Sequence, residues 1–382
     1  MTKSKEKNIS LMRPLLPTHS KIDPYLKTID KNRWYSNFGP LAFHLEERLC
    51  EFFSVPSGGV VTVSNGTSGL TNTLRAFNLP ADSYCFVPSW TFVATAAAAV
   101  TAGLIPYFLD VDEETWALTP EIVKEQIKKV NGKVGAVITV APFGEPFNSQ
   151  EWDDFTKQTG IPVIIDAAAA FDAVSHDKNS KPGNTPVMVS MHATKVCGCG
   201  EGGVVVSKNT SLIRKVREIS NFGFAGKRII SIVGTNDKMS EYTAAVAHAA
   251  LDNWPEKRAD WISLNKRYLK AFAKSGKGIK KIWLTEKWAT STLNIQLHSS
   301  TAEYVIEKLK ERGIDSRKWW LNGCHTHPAY NKFPKGKLIV TDKLGKSVLA
   351  IPFYIDIKDS EINYVVNSLQ EILGNSEVEE VA

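Results

Sequence analysis

One lysine of this chain stands where covalent chemistry is possible. Lys195 lies in the segment S-M-H-A-T-K-V-C-G-C-G-E-G-G, between two strongly apolar runs, Val187–Met191 and Val204–Ser207. Most lysines are solvated surface residues, but a lysine beside a glycine-rich turn between two buried strands is partly desolvated. Desolvation lowers the pKa of the amine and makes it a usable nucleophile that can form a Schiff base. We therefore predict that Lys195 is catalytic.

An acidic residue ends another apolar run. Asp166 closes the run P-V-I-I-D and is followed by the small residues Ala167–Ala170. A carboxylate at the tip of a buried strand needs a partner, because a lone buried charge is costly. A pyridinium nitrogen is one such partner, since the ion pair keeps the ring protonated as an electron sink. The small residues leave room for a flat ring, although a helix N-cap is the commoner role for such an aspartate.

A short segment of small polar residues follows the run Val60–Val63. This segment, S-N-G-T-S-G, spans Ser64 to Gly69 and includes Thr67 and Ser68. Small residues let the backbone approach a ligand, and the next helix presents free N–H groups that bind phosphate. Ser190, at the end of its own strand, could add a hydroxyl to the same phosphate. The alternative is an ordinary strand-to-helix turn with a Ser/Thr cap.

Aromatic residues and glycines near these segments allow further interpretations. In P-S-W-T-F-V-A-T, Phe92 or Trp90 could stack on a flat ligand, with core packing as the alternative. His192 is expected to be a packed structural histidine. The G-x-G-x-G-G pattern after Lys195 is not a dinucleotide fingerprint, because that fingerprint opens a helix, whereas Gly203 leads into a strand.

The elements that must position these residues alternate along the first two-thirds of the chain. Seven short apolar runs predict strands: Val60–Val63, Cys85–Val87, Pro106–Leu109, Ala136–Val140, Val163–Asp166, Val187–Met191 and Val204–Ser207. Helix-like stretches fall between several of them: Leu41–Phe53, Ser68–Phe77, Thr91–Thr101 and Pro120–Lys129. Continuous apolar runs and this order predict a mostly parallel sheet covered on both faces. Ligands bind at the carboxyl ends of such strands, where the candidate residues lie.

The last third of the chain has a different character. It contains a strand-like Leu293–Leu297, a helix at Thr301–Glu311, a second apolar run at Val348–Ile351 and a final helix at Glu361–Ile372. We predict an N-terminal tail at 1–10, a large α/β domain at 11–255, a small α+β domain at 256–375 and an acidic tail at 376–382. The change between the domains is expected near Asn253 to Lys266.

Composition excludes several other classes of protein. The chain has 382 residues, 43% hydrophobic and 23% charged, with a formal net charge of +6. Interspersed charges do not form the basic stripe of a nucleic-acid-binding protein, and no apolar run is long enough to span a membrane. Five cysteines, an odd number, do not indicate a disulfide framework, and no metal-site spacing is present. We expect reduced thiols and a cytoplasmic protein.

Taken in order, the motifs resemble the DegT/DnrJ/EryC1/StrS family of sugar aminotransferases. The matching segments are G-T-S-G, P-S-W-T-F-V-A-T, F-L-D-V-D, D-A-A-A-A, S-M-H-A-T-K with E-G-G, G-T-N-D-K-M-S-E and I-P-F-Y. The similarity runs from Arg13-Pro14 to Tyr354. It implies an α/β, aspartate-aminotransferase-like (type I) fold with a mostly parallel seven-stranded sheet and a smaller C-terminal α+β domain. It also implies a homodimer whose active sites lie at the subunit interface.

The resemblance further implies pyridoxal 5′-phosphate (PLP) as the cofactor and assigns roles to residues. Lys195 matches the Schiff-base lysine, Asp166 the partner of the pyridine nitrogen, and Phe92 the aromatic residue on the ring. The matching phosphate ligands are Thr67, Ser68 and Ser190, with Asn236 contributed by the other subunit. Trp34 to Pro40, W-Y-S-N-F-G-P, resembles the substrate-facing loop of the family. Lys227 and Arg228 are candidate diphosphate contacts, with a solvated loop as the alternative.

The implied reaction is a transamination that moves nitrogen from L-glutamate to a keto sugar carried by a nucleotide. The local motifs are most similar to those of enzymes that aminate dTDP-4-keto-6-deoxyglucose or its 3-keto isomer, and we favour carbon 4. Ala169 stands where the family commonly has Gln or His, and Lys238 where it has Arg. Lys195 argues against the dehydratase branch, which has histidine there. A cysteine desulfurase using Cys324 and a non-catalytic PLP-binding protein are the rival hypotheses.

Overall fold

A computed structural model describes residues 8–226, 229–273, 278–299 and 301–379 of the chain. Its strands are β1 (Val60–Val63), β2 (Tyr84–Pro88), β3 (Ile105–Leu109), β4 (Val134–Val140), β5 (Val163–Asp166), β6 (Val187–Ser190), β7 (Gly203–Val206), β8 (Ile279–Trp283), β9 (Leu293–Leu297) and β10 (Val348–Ile351).

Helices connect and cover these strands. They are α1 (His19–Asn32), α2 (Pro40–Phe53), α3 (Gly66–Ala76), α4 (Val93–Thr101), α5 (Pro120–Ile127), α6 (Ser149–Thr159), α7 (Phe171–His176), α8 (Thr210–Ser220), α9 (Glu241–Asp252), α10 (Trp254–Phe272), α11 (Ala302–Glu311), α12 (Ile339–Ser347) and α13 (Asp359–Glu379). Among the described residues, no helix is both long and apolar enough to cross a membrane.

The large sheet has seven strands in the order β1-β7-β6-β5-β4-β2-β3. Four neighbouring pairs, from β3 through to β6, are parallel, and β7 runs antiparallel to both β6 and β1. The predicted mostly parallel sheet is therefore confirmed. All seven predicted strands are present, with ends that differ by at most two residues. The carboxyl ends of β2, β4, β5 and β6 meet at one edge, where parallel strands bind ligands.

Apolar side chains alternate between the two faces of this sheet. Val61 and Ile164 pack on one face with helices α3, α4 and α8, whereas Val60 and Ile165 pack on the other with α2 and α7. Because helices cover both faces, every residue of β1, β5, β6 and β7 is buried. This explains why these strands read as uninterrupted apolar runs in the sequence.

The C-terminal part of the chain forms a second, antiparallel sheet in the order β10-β9-β8. Helices α10, α11 and α13 pack together beside it. The predicted change of domain near Asn253 to Lys266 falls within α10, a continuous helix of 19 residues. At the other end of the chain, Ile9 is buried and pairs with Ile314, so ordered structure begins before the predicted start of the large domain at residue 11.

A buried histidine joins α2 to α9. His248 is fully buried, and its Nε2–H donates a hydrogen bond of 3.0 Å to the carbonyl oxygen of Leu41. Its Nδ1 accepts a hydrogen bond of 2.8 Å from Arg48. Burial, together with the nearby positive charges of Arg48 and His44, lowers the pKa of His248 to about 4. The imidazole is therefore neutral in the folded protein at neutral pH.

This histidine is expected to make the fold acid-sensitive. An unfolded histidine has a pKa near 6.5, so below that pH the unfolded chain binds a proton that the folded chain excludes. Stability should therefore fall as the pH falls, with His248 contributing a loss of about 2 kcal/mol between pH 7 and pH 5. Urea denaturation across this range should show a weaker pH dependence for His248→Gln. The exposed His298→Gln is the control, and an unchanged pH dependence in His248→Gln would contradict the assignment.

Candidate active site

The predicted lysine and aspartate lie close together at the carboxyl edge of the large sheet. Asp166 is the last residue of β5, and Lys195 lies in the connection between β6 and β7, the next strands along. Protein surrounds the Lys195 amine, although part of the side chain remains accessible, and burial lowers its pKa. Burial likewise raises the pKa of Asp166. Each charge partly offsets the effect of burial on the pKa of the other, so the two side chains lie close enough to interact.

A tight loop holds Lys195 in this position. Cys199 N–H donates to the carbonyl of Met191 at 2.7 Å, and Ala193 N–H donates to that of Gly200 at 2.7 Å. Gly198 has no room for a side chain, because a Cβ would lie 2.7 Å from the His192 carbonyl oxygen. The glycine-rich segment therefore folds back on itself and keeps Lys195 beside the ends of β6 and β7. It does not open a helix, and Gly203 begins β7, as the sequence predicts.

His192 takes part in the local structure of this loop. Its Nδ1 lies 2.8 Å from the Thr194 hydroxyl, and its Nε2 lies 3.4 Å from a carboxylate oxygen of Glu201. The side chain is 41% exposed, so His192 is held by these loop contacts and is not packed in the core as predicted.

Asp166 is held through both of its carboxylate oxygens. The side chain is only 5% exposed. One oxygen accepts a hydrogen bond of 2.8 Å from the Thr95 hydroxyl, and the other accepts one of 3.1 Å from the backbone N–H of Ala168. The carboxylate is thus fixed in orientation, and Asp166 does not cap a helix, which was the alternative. The sequence interpretation did not include Thr95. Thr91 and Thr95 are four residues apart, and residues at that spacing in a helix have neighbouring side chains.

The predicted phosphate ligands gather at the first turn of α3. Thr67 and Ser68 are half-buried there, and Ser190 is buried at the end of β6. A Cβ on Gly66 would lie 3.4 Å from the Ser190 Cβ, so the helix terminus packs directly against that strand. Asn65 caps the helix by accepting from the Ser68 N–H at 2.9 Å, and the Ser68 hydroxyl donates to the Asn65 carbonyl. The structure therefore shows a capped turn whose N-terminus lies beside the Ser190 hydroxyl.

The two aromatic candidates have different surroundings. Trp90 is buried and packs against Trp116 and Trp320, so core packing accounts for it. Phe92 precedes α4 and is 56% exposed, which is unusual for a phenylalanine in a helix-capping position. A flat ligand beside Asp166 could cover this exposed ring.

Asn236 lies at the surface near the first turn of α3. The backbone carbonyl of the next residue, Asp237, accepts a hydrogen bond of 2.7 Å from the N–H of Ser64. Lys238 donates to the Asn236 side-chain oxygen at 2.6 Å, which leaves the amide NH₂ free to donate to a ligand. Contact of Asn236 with a phosphate bound to a second subunit stays a prediction. The diphosphate contact of Lys227 and Arg228 also stays a prediction, because these two residues lie outside the described residues.

A glutamate that the sequence interpretation did not single out fixes the loop from Trp34 to Pro40. The carboxylate of Glu241 accepts from the backbone N–H groups of Leu41 and Ala42, each at 2.8 Å, and its own N–H donates to the Tyr35 carbonyl. The ring of Trp34 remains half-exposed. The loop is therefore held at its base, with Trp34 and Tyr35 exposed and Phe38 packed against the core.

The groups collected at this edge fit PLP. The buried amine suits an aldehyde, the buried carboxylate suits a protonated ring nitrogen, and the helix terminus with its hydroxyls suits a phosphate. Phe92 supplies an exposed aromatic surface for the ring. Ala169, half-buried beside Gly144, offers no side-chain hydrogen bond to the phenolic oxygen. Among the described residues, no group of His, Cys, Asp and Glu could hold a metal ion.

Comparisons with known proteins agree with this geometry. Residues 18–370 match the DegT/DnrJ/EryC1/StrS aminotransferase family. A dTDP-4-amino-4,6-dideoxy-D-glucose transaminase from Shigella dysenteriae is 27% identical, over 96% of this chain and 100% of the relative. A Bacillus cereus structure described as a PLP-dependent aminotransferase superposes with a TM-score of 0.89 at 28% identity, covering 95% of this chain and 100% of that one. The structure of DesI in the presence of its TDP-sugar product superposes with a TM-score of 0.86 at 27% identity, covering 98% of this chain and 95% of that one.

Proposed function

Because this chain belongs to the DegT/DnrJ/EryC1/StrS aminotransferase family and is a PLP-dependent enzyme, we propose that it aminates a nucleotide-linked keto sugar. The proposed substrate is dTDP-4-keto-6-deoxyglucose, the product dTDP-4-amino-4,6-dideoxyglucose, and the amino donor L-glutamate. The observation that carries the chemistry is the convergence of Lys195 and Asp166 at one edge of the sheet. The names of the Shigella relative and of DesI support the nucleotide sugar.

In this proposal some side chains bind the cofactor and Lys195 transfers protons. PLP, when bound, supplies an electron-withdrawing ring that makes the donor's α-carbon acidic. Burial lowers the pKa of Lys195, which favours the neutral amine, and Nζ of that amine can take the proton from the donor's α-carbon and return it elsewhere. Asp166 keeps its negative charge beside the ring nitrogen. Thr67, Ser68 and Ser190 hold the phosphate.

We also propose that two copies of the chain share their active sites. Large apolar side chains remain exposed around Asn236 and the N-terminal loop, which is unusual for a monomer. They are Trp34, Tyr35, Phe222, Phe224, Ile230, Val233 and Tyr242. A second copy packed on this surface would cover them and bring its own Asn236 to the phosphate.

The five buried, unpaired cysteines agree with a cytoplasmic location.

Mixing two inactive variants tests the shared site. Refolding Lys195→Ala together with Asn236→Ala as a mixture should form hybrid dimers in which one site has both wild-type residues. Activity should then return to about a quarter of the wild-type value, since half of the dimers are hybrids with one complete site each. Each variant refolded alone is the control. If the mixture shows no more activity than the sum of its parts, Asn236 does not act across an interface.

A cysteine desulfurase has less support. Such an enzyme needs a reactive cysteine on a mobile loop, but Cys324 is fully buried and its N–H donates to the Ser89 carbonyl at 2.7 Å. Burial raises the pKa of this thiol to about 12, so almost none of it is thiolate at neutral pH.

The decisive experiment offers the purified protein L-glutamate and a panel of nucleotide keto sugars. The panel should include the 4-keto and 3-keto isomers linked to dTDP and to UDP, with products identified by mass spectrometry and NMR. We expect turnover of the dTDP 4-keto sugar. Turnover of the 3-keto isomer alone would move the amination to carbon 3. Failure of every sugar, with release of sulfide from cysteine, would favour the desulfurase.

A further inference from the structure

A chain of hydroxyl groups leads from the segment that carries Phe92 to the carboxylate of Asp166. The Thr91 and Thr95 hydroxyl oxygens lie 2.8 Å apart, and the Thr95 hydroxyl donates to Asp166 at 2.8 Å. Thr95 is fully buried and Thr91 is 2% exposed. Since the single hydroxyl proton of Thr95 is donated to Asp166, the Thr95 oxygen accepts from the Thr91 hydroxyl.

These hydroxyls are not used for helix capping. Threonines near a helix start commonly satisfy its free N–H groups. Helix α4, however, has no side-chain cap hydrogen bond, and its N-cap residue is Phe92. The Thr95 N–H donates instead to the Phe92 carbonyl at 3.2 Å. The helix therefore leaves the two hydroxyls directed at the tip of β5.

The link joins two groups that would face different parts of one ring. Phe92 would pack on the ring, and Asp166 would pair with its nitrogen. Thr91 precedes Phe92 directly, and Thr95 follows one turn later, so the hydroxyl chain ties the aromatic segment to the acid. A displacement of either segment would disturb both contacts at once.

We propose that Thr95, supported by Thr91, is a positioning residue that acts through Asp166. It orients the carboxylate toward the ring nitrogen and keeps it ionised, so that the shared proton stays on the ring. This inference rests on the proposed role of Asp166 as the partner of the ring nitrogen. It concerns the first stage of the reaction, with the amino donor, and does not depend on which sugar follows.

The electrostatics at Asp166 agree with this role. Burial raises the pKa of Asp166, whereas the hydrogen bonds from Thr95 and Ala168 and the charge of Lys195 lower it. Among the described residues, Lys195 is the charged side chain found to act on this carboxylate. Removing the Thr95 hydroxyl should therefore shift the shared proton from the ring nitrogen toward Asp166.

The test uses the holoenzyme of Thr95→Val, which keeps the shape of the side chain and removes the hydroxyl. With PLP labelled with ¹⁵N in the ring, the ¹⁵N chemical shift should move toward that of unprotonated pyridine. The rate of the half-reaction with L-glutamate should fall roughly tenfold, the size expected for one hydrogen bond to a charged group. Thr95→Ser should restore both values, and Thr91→Val should change both in the same direction by less.

The matched control is Thr139→Val, a buried threonine on β4 whose hydroxyl donates to the Leu118 carbonyl. It should leave the ¹⁵N shift and the rate unchanged. If Thr95→Val lowers thermal stability but keeps the wild-type ¹⁵N shift, Thr95 is only structural and the proposal is wrong. If the wild-type protein reacts with glutamate but with no keto sugar, the sugar substrate fails while this inference stands.

Discussion

Lys195→Ala is expected to abolish transamination. The variant loses both the amine that holds the cofactor and the group that moves protons, and general acid–base catalysis alone is worth on the order of a thousandfold. Borohydride treatment of the wild-type holoenzyme, followed by peptide mass spectrometry, should locate the cofactor on Lys195. The variant should yield no such adduct.

A second variant of Lys195 distinguishes the role of its amine from the role of its charge, and a variant of another lysine is the control. Lys195→Arg keeps a positive charge beside Asp166 but has no nucleophilic amine, so it should be as inactive as the alanine variant. Lys208→Ala, at an exposed lysine just after β7, should behave as the wild type. Retention of turnover and of the adduct in Lys195→Ala would show that another lysine holds the cofactor.

The second large effect is expected at Asp166. Asp166→Asn keeps the size and one acceptor oxygen of the side chain but removes its charge, so the ring nitrogen loses the anion that keeps it protonated. Loss of such electrostatic stabilisation typically costs on the order of a hundredfold in kcat. The half-reaction with L-glutamate, followed by the absorbance of the bound cofactor, measures this directly.

This variant should keep the lysine adduct, because Lys195 remains in place. Asp154→Asn, at an aspartate on α6 whose side chain is 50% exposed, is the control and should leave the rate unchanged. A wild-type rate in Asp166→Asn would mean that the carboxylate serves only to offset the charge of Lys195. Together, the two variants separate the site of covalent attachment from the site that supports the ring electronically.

Most of the large sheet could be predicted because its strands are buried on both faces. The run Val163–Asp166 was predicted with the ends that the structure has, since only continuous apolar residues fit between two helix layers. Strand β8, Ile279–Trp283, was not predicted. It has two adjacent lysines between its apolar residues and is largely half-exposed, so its sequence lacks that signal.

Tertiary contacts that local sequence does not encode hold the ends and the continuity of some helices. The first turn of α2 has no side chain of its own to cap it, and Glu241, 200 residues later in the chain, accepts from Leu41 N–H instead. Helix α10 continues through the predicted change of domain because Trp261, Leu264 and Tyr268 are buried along it. Local sequence does not encode such distant partners.

The sequence by itself determined which residue types could do the chemistry and that they follow strand ends: Lys195, Asp166, Ser190 and the turn at Ser64 to Gly69. Only the tertiary structure decided that the lysine and the aspartate lie close enough to interact, that Phe92 rather than Trp90 is exposed, and that Thr95 donates a hydrogen bond to Asp166. The physical reason is that strand and turn signals act over a few residues. The pKa values, hydrogen bonds and exposure of the site depend on side chains brought together from distant parts of the chain.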